Sequence, residues 1–367
     1  MHPLVLLFII FIAIQIIYLI AFIVVFSKKS TAENNVSVPV SVIVCAHDEE
    51  QNLRELIPLL LKQDYGEFEI IVVEDRSNDE SFDYLYEACK QHAQLRMVPV
   101  KSKPDHVNGK KFALTLGIKA AKHEWVLLTD ADCRPNGNLW IKEMSRHFSS
   151  EKSIVLGYSP YLKTSGFLNL FIRFEGLLTA MQYMGMALFG RPYMGVGRNL
   201  AYRKKLFLDN KGFNSHLSVT GGDDDLFINE VSTKMNTVVC LGSDSVVFSK
   251  PKTSWSDYYI QKVRHLSVGR HYNWSDKLIL GTFSMSMIGS WLLFAPAVVF
   301  SSFLYVPVLA FSLRMILITV LIRTASLRLG DTFAAWKTPF LDFIFVIYYL
   351  VIGPVALYTN KIRWKKT

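Results

Sequence analysis

The sequence predicts an α/β fold: a mixed, mainly parallel sheet with helices on both faces, flanked at both ends by transmembrane helices. Three observations predict it. Between residues 40 and 129, short aliphatic runs alternate with stretches of helical periodicity, the pattern of βαβ units with right-handed crossovers. The ends of those runs carry acidic or polar residues while the runs themselves mostly do not, and open α/β sheets bind ligands at that edge. Of the 367 residues 51% are hydrophobic, and the apolar ones concentrate at the two ends of the chain.

The elements follow in order. Residues 4–26 are nearly all apolar and are followed by Lys28 and Lys29. The stretch is long enough to cross a bilayer, exceeds a signal-peptide core and has no small-residue cleavage site after it, so it reads as a retained anchor. Residues 40–45 form a buried strand, followed by Ala46, His47, Asp48 and Glu49, then an amphipathic helix over residues 52–63. A second strand, residues 69–73, runs into the acidic stretch 74–79, and a second helix covers residues 81–92. Residues 96–100 give a third strand, residues 111–121 a helix and residues 124–129 a fourth strand ending at Asp130, Ala131 and Asp132. Two hard oxygen ligands one residue apart suit Mg²⁺ or Mn²⁺, which then bridges to phosphate oxygens. Residues 166–189, rich in Phe, Leu and Met, read either as a helix at the membrane interface or as an ordinary core helix. Residues 278–300, 301–322 and 339–358 are further hydrophobic segments.

The formal charge is +9, but the bases are scattered and many flank apolar segments. That distribution fits anionic lipid headgroups and argues against nucleic acid as a partner. The four cysteines lie far apart with no Cys-x-x-Cys, which argues against a zinc site and fits free thiols in a reducing compartment. Lys28 and Lys29 place the middle of the chain in the cytoplasm. A hairpin of two spans returns the chain to that side, where Arg323, Arg328 and Lys337 agree. A third full span then leaves Lys361, Arg363, Lys365 and Lys366 outside, so the last segment is either re-entrant, broken near Gly353 and Pro354, or an exception to the rule. Arg314 has no acidic residue in its own segment and Asp342 lies near the start of its own, so no paired charges mark a transport pathway.

Across residues 37–272 the chain resembles a family 2 glycosyltransferase with the GT-A fold, a Rossmann-like α/β architecture. Residues 41–49, SVIVCAHDE, are similar to the family's opening strand and Ala-Tyr-Asn-Glu turn. Residues 73–79, VEDRSND, resemble its Val-Asp-Asp-Gly-Ser-x-Asp segment, and Gly109, Lys110, Ala113 and Leu114 its Lys-x-x-Ala-Leu stretch. Asp130 and Asp132 stand at the family's Asp-x-Asp. Residues 195–203, GVGRNLAYR, resemble a glycine-rich acceptor-side segment. Residues 220–226, TGGDDDL, are similar to the Glu-Asp-x-Asp-Leu motif, with Gly222 in the place of its Glu. Gln261, Arg264 and His265 resemble Gln-x-x-Arg-Trp, with His265 replacing the Trp.

The resemblance implies roles. Ala46, His47 and Glu49 line the nucleotide pocket, Asp75 accepts from a uracil-like base, and Lys110 neutralises phosphate. Asp130 and Asp132 hold Mn²⁺ or Mg²⁺ across the diphosphate, with Asp132 the stronger metal ligand. Asp223 is the general base, with Asp224 its rival, and Arg264, with Gln261 beside it, meets the diphosphate. The implied activity is inverting, metal-dependent sugar transfer from a nucleotide-diphospho sugar, a UDP-sugar on the Asp75 contact, to a hydroxyl of a lipid-linked or membrane-proximal glycan. The implied location is the inner membrane, with a cytoplasmic catalytic domain and a part in cell envelope polysaccharide biosynthesis. Two alternatives stand beside it: a processive polysaccharide synthase, which the absent Trp at position 265 disfavours, and a non-catalytic membrane scaffold retaining the fold. The expected organisation is an anchor over residues 1–27, a catalytic domain over 28–277 with interfacial helices near 166–189 and 255–272, and a membrane region over 278–367.

Overall fold

The computed structural model describes residues 2–28, 37–105, 107–217 and 219–358. In chain order, α1 (Pro3–Ser27) is followed by β1 (Val40–Ala46), α2 (Glu50–Leu61), β2 (Phe68–Glu74), α3 (Ser81–Gln91) and β3 (Leu95–Pro99). Then come α4 (Gly109–Ala120), β4 (Trp125–Asp130), β5 (Cys133–Pro135), α5 (Trp140–Ser145), β6 (Ile154–Leu156) and α6 (Phe167–Leu188). The remainder comprises β7 (Leu200–Arg203), α7 (Lys204–Asp209), α8 (Asp225–Val231), β8 (Thr237–Val239) and β9 (Val247–Ser249), then α9 (Trp255–Val268), α10 (Trp274–Leu292), α11 (Phe294–Phe300), α12 (Tyr305–Leu329) and α13 (Thr338–Tyr358). The described residues divide into two compact units, residues 37–162 with 186–251, and residues 2–28 with 163–185 and 252–358.

The first unit is built on a seven-stranded sheet in the order β3-β2-β1-β4-β7-β6-β8. The strands β3, β2, β1 and β4 run parallel, β7 is antiparallel to both β4 and β6, and β8 is parallel to β6. Strands β1 and β2 are buried almost throughout, as strands covered on both faces must be. Alternation assigns the faces. Val42, Val44, Ile70, Val72 and Leu127 join one core with Leu53, Leu56, Leu60 and Leu85 of α2 and α3. On the opposite face Ile43 and Val73 meet α4 at Gly117, where an added Cβ would lie 2.7 Å from Ile43 Cγ2. The small residue lets α4 seat directly on the two strands, and this fixes where its first turn, carrying Lys110, meets the sheet edge. A two-stranded ribbon, β5 with β9, completes this unit.

The second unit is helical. Among the described residues three helices are long and apolar enough to cross a membrane, Pro3–Ser27, Tyr305–Leu329 and Ala335–Ala356, and a fourth crossing arises if α10 and α11, bent by 51°, count as one broken span. The break thus falls at Leu293, and α13 continues through Gly353 and Pro354 without one. Helices α1 and α10 run antiparallel. Gln15 Nε2 donates to Phe283 O and Ser286 Oγ, both at 2.8 Å, and Tyr18 Oη donates to Ile279 O at 3.0 Å. Helix α6 is buried around most of its circumference, from Phe171 through Met184. Its Glu175 carboxylate receives Lys262 Nζ of α9 at 2.5 Å, and Arg173 pairs with Asp331 at 3.1 Å. Arg314, with no acidic residue in its own segment, is partnered from the next: its guanidinium and the Asp342 carboxylate are 2.5 Å apart with neither side chain exposed, and Trp291 Nε1 donates to the same carboxylate. The pairing partner sits 28 residues away, across a turn, where a search confined to one segment does not reach.

Candidate active site

The carboxyl ends of β1, β2 and β4, the first turn of α4 and the stretch before α8 supply the site, all within the sheet-bearing unit. Parallel register sets the alignment: Ala46 faces Glu74 and Cys45 faces Asp130. The loops after β1 and β2 are zipped together. Asp75 N donates to Ala46 O at 2.7 Å, Asn78 N to Asp48 Oδ1 at 2.6 Å, Glu49 N to Ser81 Oγ at 3.2 Å and Glu50 N to Asp79 Oδ2 at 3.0 Å. Asp48 and Arg76 take left-handed backbone conformations, with φ of 52° and 56°. At Asp48 a short polar side chain that accepts from Asn78 N makes such a turn tolerable.

His47 Nδ1 lies 2.6 Å from Asp75 O, so its ring donates there and leaves Nε2 on the Asp48 side. The Asp75 carboxylate is nearly buried and accepts from Arg76 Nε at 2.8 Å. Gly109 opens α4 against it: a Cβ at that position would lie 3.1 Å from Asp75 Oδ2. Glu49 accepts from Asn52 Nδ2, which orients its carboxylate from the first turn of α2.

Lys110 is the centre of the arrangement. Its Nζ lies 3.1 Å from Asp130 Oδ1 and 3.2 Å from Asp223 Oδ2. Burial works against the Lys110 charge, but Asp130 and Asp223 outweigh it and hold the ammonium's pKa well above its ordinary value. Burial likewise pushes Asp223 up, and Lys110 more than offsets this, leaving the Asp223 pKa below the usual carboxylate range. Asp132 goes the other way. Burial raises it, Asp130 and Glu49 raise it further, and Arg198 opposes them.

Asp223 and Asp224 differ in what they hold. Asp224 caps α8, accepting from Asp225 N at 2.8 Å through Oδ1 and from Gly197 N at 2.7 Å through Oδ2. Both of its oxygens are thus committed to backbone, which leaves Asp223 facing Lys110. Gly221 and Gly222 precede them with φ of 88° and 77°, and a Cβ on Gly222 would come within 2.6 Å of Leu226 Cδ1. This explains glycine where the resembling motif has glutamate: a side chain there meets both an unfavourable φ and a crowded neighbour.

Sequence reading missed Lys111. Its side chain is fully buried, and its Nζ donates to His216 O at 2.5 Å and Val219 O at 2.9 Å. It thereby anchors the stretch leading to Asp223. Burial pushes its ammonium down to about 8. Only its neighbour Lys110 stood out in the sequence, because a buried lysine satisfied by carbonyls leaves no local pattern. Gln261 and Arg264 lie on α9 in the helical unit, and Lys262 between them points to Glu175. Gln261 Oε1 is buried there without a hydrogen-bond partner among the described residues.

Among the described residues no group of three or more His, Cys, Asp or Glu is arranged to hold a metal. Asp130 and Asp132 nevertheless fit a hard divalent cation that takes its other ligands from phosphate and water, since burial and mutual repulsion leave Asp132 short of positive charge.

A mixed, mainly parallel seven-stranded sheet with carboxylates and a bridging lysine at the carboxyl edge defines an α/β enzyme domain of the GT-A fold. Residues 41–209 match the model of the family described as Glycosyl transferase family 2. It is similar to a poly-beta-1,6-N-acetyl-D-glucosamine synthase of Staphylococcus epidermidis, 33% identical over 94 residues, 25% of this chain and 21% of that one. It is also similar to an uncharacterized glycosyltransferase of Haemophilus influenzae, 29% identical over 117 residues, 31% of this chain and 34% of that one. The matched stretches thus span about a fifth to a third of these curated relatives. The fold is shared with the mannosyltransferase PcManGT from Pyrobaculum calidifontis in complex with GDP-Man and Mn2+: TM-score 0.64, 16% identity, covering 96% of this chain and 98% of that one.

Proposed function

We propose that this chain is an inverting, divalent-metal-dependent glycosyltransferase. It takes a nucleotide-diphospho sugar, a UDP-sugar on the Asp75 reading, and transfers the sugar to a hydroxyl of a lipid-linked or membrane-proximal glycan. The observation that carries this reading is Lys110 bridging Asp130 and Asp223, which brings a metal-type carboxylate and a base-type carboxylate to one ammonium.

Each residue has a task in this reading. Ala46, His47, Glu49 and Asp75 form the nucleotide pocket, its rim already fixed by the loop-to-loop hydrogen bonds. Asp130 and Asp132 would hold Mn²⁺ or Mg²⁺, which supplies Lewis-acid stabilisation of the departing diphosphate. The Mn2+ in the PcManGT structure supports a divalent ion. Lys110 turns toward phosphate charge. Asp223, released from that ammonium, gains basicity and removes the proton of the attacking hydroxyl. Asp224 positions the loop.

The proposed arrangement is a cytoplasmic catalytic domain over residues 28–277, an anchor over 1–27 and a membrane region over 278–367, in the inner membrane and serving cell envelope polysaccharide synthesis. The candidate spans support its membrane part. The similarity to a polysaccharide synthase keeps processive synthesis as a second reading, against which stands His265 in place of an aromatic platform.

The experiment is metal-dependent transfer from a panel of nucleotide sugars by the full chain in detergent. Asp132→Ala is expected to abolish Mn²⁺-dependent nucleotide binding. Asp223→Asn is expected to keep that binding and lower kcat by roughly 10²–10⁴-fold, the usual worth of a general base. If wild type shows no metal-dependent turnover with any donor, the enzyme reading gives way to the scaffold one.

A further inference from the structure

Residues 197–199 form a single 3₁₀ turn whose central residue is Arg198. Both neighbours are pinned. Gly197 N donates to Asp224 Oδ2 at 2.7 Å. Asn199 is fully buried, accepts from Trp140 Nε1 at 3.0 Å and donates to Tyr158 O and Ser245 O at 2.8 and 2.7 Å. The Arg198 guanidinium carbon lies 4.6 Å from the ring centroid of Tyr161, itself 5% exposed. An arginine on an aromatic face keeps its N–H edges open. Among the described residues it makes no hydrogen bond and no ion pair, although its side chain is half-buried. Leu200 stands opposite Leu128 in the antiparallel β7–β4 pair, so the turn that carries Arg198 lies beside the end of β4, where Asp130 and Asp132 follow. A preorganised guanidinium with all its donors unused, beside a candidate cation site, is built to receive an anion rather than to brace the fold.

We propose that Arg198 is a phosphate-binding residue, taking two oxygens of one phosphate bidentately beside Asp130 and Asp132. The carboxylates repel a phosphate that arrives alone, so the ligand is one that answers the guanidinium and a divalent cation together. This rests on the reading of the site as one for nucleotide-diphospho sugars. The phosphate belongs either to the donor's diphosphate or to a phosphorylated lipid acceptor.

Calorimetric titration of the full chain in detergent tests it, with UDP and GDP in Mn²⁺ and separately with a short prenyl phosphate. Arg198→Gln, checked for an unchanged melting temperature, is compared with Arg198→Lys, which keeps the charge and loses the fork. If the donor is the source, UDP or GDP binds roughly 10- to 100-fold more weakly to Arg198→Gln, with partial recovery in Arg198→Lys. If the acceptor is the source, the same loss appears with prenyl phosphate and spares the nucleotides. Unchanged affinity for all three overturns the proposal. Asp132→Ala separates the two levels: nucleotide binding lost there but intact in both Arg198 variants, with prenyl phosphate also unaffected, sinks Arg198 and leaves the functional reading standing. A wild type that binds neither nucleotide nor prenyl phosphate sinks both.

Discussion

Lys111 shows how a single side chain sets a pH dependence. The folded chain holds its ammonium near 8, whereas a lysine in the unfolded chain titrates at about 10.4. Between those values the unfolded state binds more protons, so stability rises with pH across this window. Below pH 8 the buried charge is a standing cost, offset by its bonds to the carbonyls of His216 and Val219. We expect thermal melts of wild type to gain stability relative to Lys111→Met as pH increases from 8 to about 10. A pH-independent difference between the two would contradict the burial of that charge. Asp224 belongs at the same scale. Because its oxygens cap backbone groups, Asp224→Ala should lower melting temperature by the loss of a helix cap, about 0.5–2 kcal/mol, as well as kcat. Asp223→Asn should lower kcat with little change in melting.

Among the elements, α12 and α13 are tied by one ion pair that lies wholly out of water. Breaking such a pair leaves an unmatched buried charge, costing on the order of 3–5 kcal/mol, while removing both charges is often tolerated. Arg314→Leu should therefore melt well below wild type in detergent, and Arg314→Leu with Asp342→Leu should recover most of the loss. Equal melting of the single and double variants would mean the pair contributes no coupling. The elements also show what the sequence makes legible. The strands β1, β2 and β4 and the helices between them were readable within two residues because aliphatic runs and helical periodicity are local signals. The Asp-x-Asp, Asp75, Lys110 and the acidic triplet were readable because they interrupt that pattern at strand ends or follow glycines. Lys111 was not, since its meaning lies in two carbonyls that a distant segment places beside it, and residues 195–203 stood out only as a resembling segment, with no sign of the tryptophan beside Asn199 or the tyrosine ring beside Arg198. The bend at Leu293 does carry a local signal, Pro296 in the first turn of α11, which has no N–H to give to Leu292 O and crowds that carbonyl.

For the whole molecule, product size decides between the two enzyme readings. A radiolabelled donor should yield acceptors extended by a single sugar, and a ladder reaching high mass would favour the processive alternative. The placement of charged loops predicts that a reporter joined after the first hydrophobic helix faces the cytoplasm.

The amide of Gln15 bears on how far the parts of this protein are interchangeable. A residue that only had to hold the chain in a bilayer would have no use for a buried amide, and any leucine-rich helix would serve in place of α1. Gln15 and Tyr18 instead read carbonyls and a hydroxyl on α10, a helix more than 260 residues away. The opening helix is therefore keyed to its own chain: a generic anchor grafted in its place would still insert, but would arrive without the groups that choose its neighbour.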